Sequence, residues 1–295
     1  MRKYFIIIPI LILLYFLSDI DNSSIKTENK RIETDNLIVN MSNYGLENIL
    51  LSEYLNGVIA CEMPALFHDE AIKAGIVAAR TFYLYKYESD NDYKPSNGDQ
   101  CFFSESKRKE NWRDNYELYN EKILNNINLT KNEVITYNGS VIKAFYFSMS
   151  NGYTEDAVNV FKKSEPYLVS VISDYDKDVK NNISSKSISV NEFKEKLNVD
   201  NDIVINNIVR DSSNRVSEIV INNVNYDGVY FRKLFDLRST DFEIEFNDQE
   251  VIITTRGYGH GVGMSQWGAN EMAKMGYEYK DILKYYYKDV EIMYK

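Results

Sequence analysis

Two residues of this 295-residue chain stand in settings that suit them for chemistry, Glu62 and His260. Glu62 lies in Val58-Ile-Ala-Cys-Glu-Met-Pro-Ala65, flanked by Cys61 and Met63 rather than by charges. A carboxyl desolvated by apolar neighbours resists ionisation and can carry a proton near neutral pH. His260 lies in Arg256-Gly-Tyr-Gly-His-Gly-Val-Gly-Met-Ser-Gln-Trp-Gly-Ala269, where five glycines fall within twelve residues. Glycines such as Gly261 and Gly263 let a backbone take positive φ or approach a ligand closely. His260, Ser265 and Gln266 add neutral polar groups, so the loop suits a hydroxyl-rich substrate. A phosphate is a poor fit, because neither Gly-Lys-Ser/Thr nor a Rossmann spacing is present. Taken alone, the loop can also be read as a tight turn around a buried histidine.

The elements that must position these residues are legible from periodicity. Val251 to Thr255 predicts a strand entering the loop, and Asn270 to Tyr287 has a helical rhythm leaving it. Leu51, Tyr54, Leu55, Val58 and Ile59 mark one face of a helix over Leu50 to Met63. Pro64 is then expected to open a second helix, with Phe67, Ala71, Ala74, Ala78, Phe82 and Tyr85 as its core face. Glu62 would sit at the junction, where burial raises its pKa and the following helix N-terminus lowers it. Burial must dominate if Glu62 is an acid. Arg80 reads as a structural partner, since a cation beside Glu62 would lower its pKa.

Further along, Glu105 to Asn128 is helical, with Trp112, Tyr116, Tyr119, Ile123 and Ile127 on a core stripe. Glu133 to Tyr137 and Val141 to Phe147 flank Asn138-Gly139, a hairpin signal. Ser148 and Ser150 follow in Ser148-Met-Ser-Asn-Gly-Tyr-Thr154; their hydroxyls either touch a sugar or cap turns. Asp174 to Lys186 reads as a polar surface loop, Asn191 to Leu197 as a short helix, and Ile203 to Phe246 as short strands. The fold class is α+β, a helical catalytic face packed on a central antiparallel β region.

Composition bounds the partners. A net charge of −10 argues against nucleic acid, which needs clustered Lys and Arg. Arg2 and Lys3 precede an apolar run from Phe5 to Leu17 with no small-residue cleavage site after it, which predicts an uncleaved N-terminal membrane anchor over 1–20. Residues 21–36 read as a polar linker and 37–295 as one catalytic domain, with a β-rich subdomain at about 170–246. Cys61 and Cys101 are the only cysteines, and either pairing or two free thiols fits. Two histidines far apart and no Cys-x-x-Cys make a dedicated zinc site improbable, and no cofactor is expected.

The glycine-rich stretch, with Met272-Ala273, Gly276-Tyr277 and Ile282-Leu-Lys-Tyr-Tyr286 after it, resembles the signature of the stage II sporulation protein D family. The run around Glu62, with Glu70-Ala-Ile-Lys-Ala74 and Ala78-Ala-Arg-Thr-Phe82, resembles that family's second signature, and Phe231 to Thr240 matches it again. The resemblance spans Leu50 to the end, patchily between Asp174 and Asn225. It implies that Glu62 is catalytic in lytic cleavage of peptidoglycan glycan strands, with a 1,6-anhydro product. It also implies that His260, Gly261, Gly263, Ser265, Gln266, Ser148 and Ser150 line the substrate cleft. The resemblance implies a metal-holding Cys-His pair of some relatives in the segment matching Asp99-Gln-Cys-Phe102, but here no histidine accompanies Cys101. The resemblance implies a membrane-anchored enzyme between mother-cell and forespore membranes, partnered with stage II sporulation proteins M and P, the latter a wall amidase. A related group of amidase enhancers supplies the rival expectation, glycan binding without cleavage. If cleavage needed a second carboxylate, Asp69 and Glu70 would be the candidates.

Overall fold

All five apolar positions of the first predicted stripe are buried on one face of the helix Leu51–Glu62. A computed structural model describes residues 33–247 and 249–295, and its architecture is α+β around two hydrophobic cores. The longest helix, Asp69–Ser89, is buried almost all round from Ala71 to Leu84. A helix apolar on every side belongs in the middle of a core, and this one packs against the helices Leu51–Glu62, Tyr116–Leu129, Gln266–Lys274 and Tyr279–Tyr286. It does not begin at Pro64. The Pro64 carbonyl accepts from the Phe67 N–H at 2.9 Å in a turn, and His68 Nδ1 accepts from the Glu70 N–H at 3.3 Å as the cap. Glu62 therefore ends its own helix, separated by a turn from the next.

Arg80 is fully buried in the long helix, and a guanidinium out of water needs a counter-ion. Asp35 supplies it with two hydrogen bonds at 2.5 and 3.0 Å, and the Glu133 carbonyl accepts a third at 3.2 Å. Asp35 sits in the 3-10 turn Thr34–Asn36. Residues 33–36, expected in the linker, thus belong to the folded body.

The predicted hairpin forms only in part. Glu133–Tyr137 pairs with Ser140–Val141 around Asn138 and Gly139, and its other edge pairs antiparallel with Glu291–Tyr294. Beyond Val141 the chain leaves the ladder. The Ala144 N–H donates to the Ile142 carbonyl at 3.1 Å and the Phe145 N–H to the Lys143 carbonyl at 2.8 Å, two successive tight turns. Tyr146–Phe147 then pairs in parallel with Met264–Ser265, so the β pair beside the site is not the antiparallel one expected.

The second core gathers Ile188, Phe193, Phe231, Phe242 and Ile253. Its sheet orders Phe242–Phe246, Glu250–Arg256 and Ile183–Ser189, beside a meander of Ile205–Arg210, Val216–Ile221 and Val224–Asp227. Glu250–Arg256 is the central strand of that sheet, so this body runs past the expected limit of 246 and delivers the chain into the glycine-rich loop. The helix expected over Glu105 to Asn128 breaks at Arg113, where φ is 48°, into Glu105–Trp112 and Tyr116–Leu129. The predicted anchor lies outside the described residues; among those described, no helix is long and apolar enough to cross a membrane.

Removing one partner of a buried ion pair strands the other charge. Asp35→Ala should therefore lower the unfolding free energy, read in urea, by about 3–5 kcal/mol. A loss below about 1 kcal/mol would place Asp35 back in a linker.

Candidate active site

Glu62 faces a cleft of about 410 Å³ whose walls include Lys143, Phe145, Tyr146, Phe161 and His260. Its carboxylate has two anchors. The Cys101 N–H donates to Oε1 at 2.7 Å, and Gln266 Nε2 reaches Oε2 at 3.4 Å. Burial raises the Glu62 pKa above the ordinary carboxyl value of 4.5, against the opposing pull of those two hydrogen bonds. Its place in the last helical turn acts in the same direction as burial, because the negative end of the helix dipole disfavours a carboxylate. The opposition expected from a second helix N-terminus is absent.

The two cysteines, left open by sequence, form a disulfide with Cα atoms 5.6 Å apart. The residue before Glu62 is thus covalently tied to the residue whose N–H holds the carboxylate. The Phe103 N–H adds a hydrogen bond to the Gly57 carbonyl at 3.0 Å, so the 100–103 segment lies along the Glu62 helix. Gln100 is buried within it. It accepts from the Tyr54 hydroxyl at 3.3 Å and donates to the Tyr146 hydroxyl at 2.9 Å. Tyr146 accepts there and keeps its O–H to donate; burial first, and then the Glu62 charge, raise its pKa far above the usual phenol range. Neither Gln100 nor Tyr146 was legible as a site residue, because nothing in its local pattern differs from a loop or strand position.

The expected substrate-binding residues divide sharply. His260 does line the cleft, and Gln266 touches the catalytic candidate itself. The imidazole packs among Phe145, Phe147 and Phe161, and its Nδ1 accepts from the Val262 N–H at 3.1 Å. Burial, reinforced by Arg232 and Arg215, pushes the His260 pKa down to about 3. It is a neutral wall residue that does not gain a second proton near neutral pH.

Gly261 and Gly263 are buried, at φ +85° and +79°. A Cβ on Gly261 would lie 2.8 Å from the Arg215 guanidinium, and one on Gly263 would lie 2.0 Å from the Phe145 carbonyl. Their missing side chains make room for protein, not for a substrate. Ser150 and Ser265 are corrected in the same way, since both are fully buried on Asp176. The Ser150 hydroxyl donates to Asp176 Oδ1 at 2.6 Å and the Ser265 hydroxyl to Oδ2 at 2.7 Å, while the Ser150 N–H adds a third bond at 2.8 Å. Ser265 also caps the helix Gln266–Lys274 by accepting from the Gly268 N–H at 3.1 Å. Ser148 uses its carbonyl to accept from the Trp267 N–H at 3.1 Å. Asp176, expected on a surface loop, is completely buried and ties the serine turn to the glycine-rich loop.

Among the described residues, no three His, Cys, Asp or Glu side chains come together as a metal-holding group, and Cys101 is committed to its disulfide. Asp69 and Glu70 are not cleft residues. Glu70 pairs with Lys73 at 2.6 Å and accepts from the Tyr279 N–H at 2.8 Å. The second carboxylate in the cleft wall is Asp99, held by Lys86 at 2.8 Å and Ser96 at 2.9 Å. Burial opposes these bonds, but they outweigh it and keep Asp99 below the usual carboxyl range.

A cross-link closing a loop of this size stabilises a fold by about 2–4 kcal/mol. Cys101→Ser should lose roughly that much in urea, and reduced parent protein should melt like the variant. A parent melting curve indifferent to reductant would contradict the pairing.

With the geometry in place, comparison with known proteins gives a consistent result. Residues 42–137 match a family model described as Stage II sporulation protein. The chain is 40% identical over 262 residues to stage II sporulation protein D of Bacillus amyloliquefaciens, covering 85% of this chain and 76% of that protein. It is 38% identical over 262 residues to the Bacillus subtilis protein of the same name, with the same coverage. A more distant likeness, 29% identity over 290 residues, covers 79% of this chain and 39% of a Bacillus subtilis protein named amidase enhancer. Identity at this level over most of both chains shows that the protein belongs to the stage II sporulation protein D family.

Proposed function

We propose that the chain is a lytic transglycosylase that cuts peptidoglycan glycan strands between N-acetylmuramic acid and N-acetylglucosamine. The observation that carries this reading is the contrast between two cleft carboxyls, one held by neutral donors alone and the other ion-paired. Glu62 is half-buried at a helix C-terminus with its pKa raised, while Asp99 is ion-paired with its pKa lowered. One cleft carboxyl can donate a proton; the other is engaged elsewhere. A single acid suffices when the substrate supplies its own nucleophile. Glu62 donates its proton to the glycosidic oxygen as the bond from C1 breaks. The resulting carboxylate takes the proton of the muramyl C6 hydroxyl as that oxygen closes on C1. The proton is returned to Glu62 and the product is a 1,6-anhydro sugar, with no water consumed. Ordinary glycosidases instead need a second carboxylate placed as base or nucleophile.

The same reading places the catalytic domain outside the cytoplasm, anchored by the N-terminal apolar segment, in the space between mother-cell and forespore membranes. The Cys61–Cys101 disulfide supports an oxidising compartment. Family membership supports a role in septal wall remodelling and engulfment, alongside stage II sporulation proteins M and P. The likeness to an amidase enhancer keeps a second reading, glycan binding without cleavage, which the same measurement separates.

Mass spectrometry of muropeptides after incubation with glycan strands should show anhydro ends from the parent. Glu62→Gln should cut the rate by about 10²–10⁴-fold, as loss of proton transfer does. Reducing ends would point to hydrolysis with Asp99 as the second carboxylate, and no product at all would favour the enhancer reading. Parent activity should fall as pH rises through the Glu62 pKa, since the acid must start protonated. Stability carries the same sign. In the unfolded chain this carboxyl ionises from about pH 4.5, whereas the folded state holds its proton longer, so rising pH through that window favours unfolding. Glu62→Gln should thus melt higher than the parent at pH 7, with the gap closing below about pH 4. A gap of opposite sign would contradict the buried acid.

A further inference from the structure

Beyond Glu62, the cleft wall holds Lys86, Asp99 and Lys143, charges that the mechanism does not use. Of the two lysines in its wall, Lys86 is neutralised by Asp99 at 2.8 Å. Lys143 has no carboxylate within salt-bridge distance among the described residues, and Glu165, the acid whose charge reaches it, is taken by Lys163 at 3.0 Å. The Lys143 ammonium instead lies 4.8 Å from the centre of the Phe145 ring and 5.8 Å from that of Phe161. Those rings stack 4.4 Å apart, with His260 edge-on to both, and Phe161 keeps 38% of its surface exposed. The root of the lysine is fixed. Its N–H donates to the Tyr167 hydroxyl at 3.2 Å and its carbonyl accepts from the Phe145 N–H at 2.8 Å, in the turns that pull this segment out of the hairpin.

A partly desolvated cation over aromatic rings, with no anion of its own, is incomplete. An exposed aromatic face beside it takes the apolar face of a pyranose. A ligand that satisfies both is a sugar bearing a carboxylate. We infer that Lys143 pairs with a substrate carboxylate and so determines which of the two alternating sugars of the glycan rests on the Phe145–Phe161 wall. This rests on the peptidoglycan reading above, because one of its sugars carries a lactyl group. With stem peptides removed, the carboxylate is that of the lactyl group; on peptide-bearing strands it belongs to the peptide. Burial in this wall and the nearby Lys86 charge both lower the Lys143 pKa, so an arriving anion also strengthens the hold on its proton.

The test is equilibrium binding in a Glu62→Gln background, so that ligands stay intact. Three ligands of equal length are compared: peptide-free glycan strands, peptide-bearing strands, and uncharged chitin oligosaccharides. Lys143→Gln should weaken binding to carboxylate-bearing strands roughly tenfold and flatten its salt dependence, while chitin binding stays unchanged. Lys143→Arg should restore most of the loss. A loss on peptide-free strands assigns the lactyl carboxylate, and a loss confined to peptide-bearing strands assigns the peptide. An equal loss on chitin, or no loss on strands that the parent binds, would overturn this inference alone. Failure of the parent to bind any of the three would overturn it together with the peptidoglycan reading.

Discussion

One half-buried carboxyl held by neutral donors alone is the constraint on which the candidate site depends. Desolvation raises the Glu62 pKa, yet a carboxyl shielded from water with no partners would be too costly to keep. The protein settles on two neutral donors and no cation. The Cys101 N–H and the Gln266 amide hold the carboxylate from different elements, and neither supplies the charge that would fix it as an anion. Arg80, the buried cation of the long helix, is bound to Asp35 and does not line the cleft. The helix Leu51–Glu62 also contributes through its length, since ending at Glu62 places the negative pole of its dipole under the carboxyl.

The supporting structure is polar and hidden. Asp176 receives bonds from the Ser150 and Ser265 hydroxyls and from the Ser150 backbone, all in the interior. Asn182 extends the network by donating to the Ser150 carbonyl at 2.8 Å and the Asp176 carbonyl at 3.0 Å. Satisfied networks of this kind specify one arrangement, because any other leaves a buried group unpaired. Here the arrangement fixed is the start of the helix that carries Gln266 to Glu62. Across the cleft the disulfide does the equivalent task for Cys101. Each donor to the carboxylate is thus backed by its own brace.

Local features were readable from sequence, and long-range ones were not. The stripe on Leu51–Glu62 follows from helical spacing, and Arg80 as a structural ion follows from the cost of placing it near an acid. Pro64 misled because proline suits a first helical position and a turn equally well. It was the His68 cap that decided where the next helix begins. Asp176 read as surface because its partners lie 26 and 89 residues away. Asp35 read as linker because its partner lies 45 residues on. Ser150, Ser265, Gly261 and Gly263 of the two signature stretches face protein rather than the cleft. Residue type shows that a hydroxyl or a bare backbone is needed, and only the fold shows whether protein or ligand occupies the space. Lys143 and Tyr146 escaped because they reach the cleft only where the chain abandons a hairpin that its Asn-Gly turn had led us to extend.

The account stands most directly on the protonation of Glu62. Carbon-13 NMR titration of a protein labelled at glutamate carboxyls, with Glu62→Gln to assign the resonance, measures it without any substrate. The structure predicts a Glu62 midpoint clearly above the ordinary carboxyl value of 4.5. A midpoint at or below that value would contradict the buried acid on which the proposed mechanism depends.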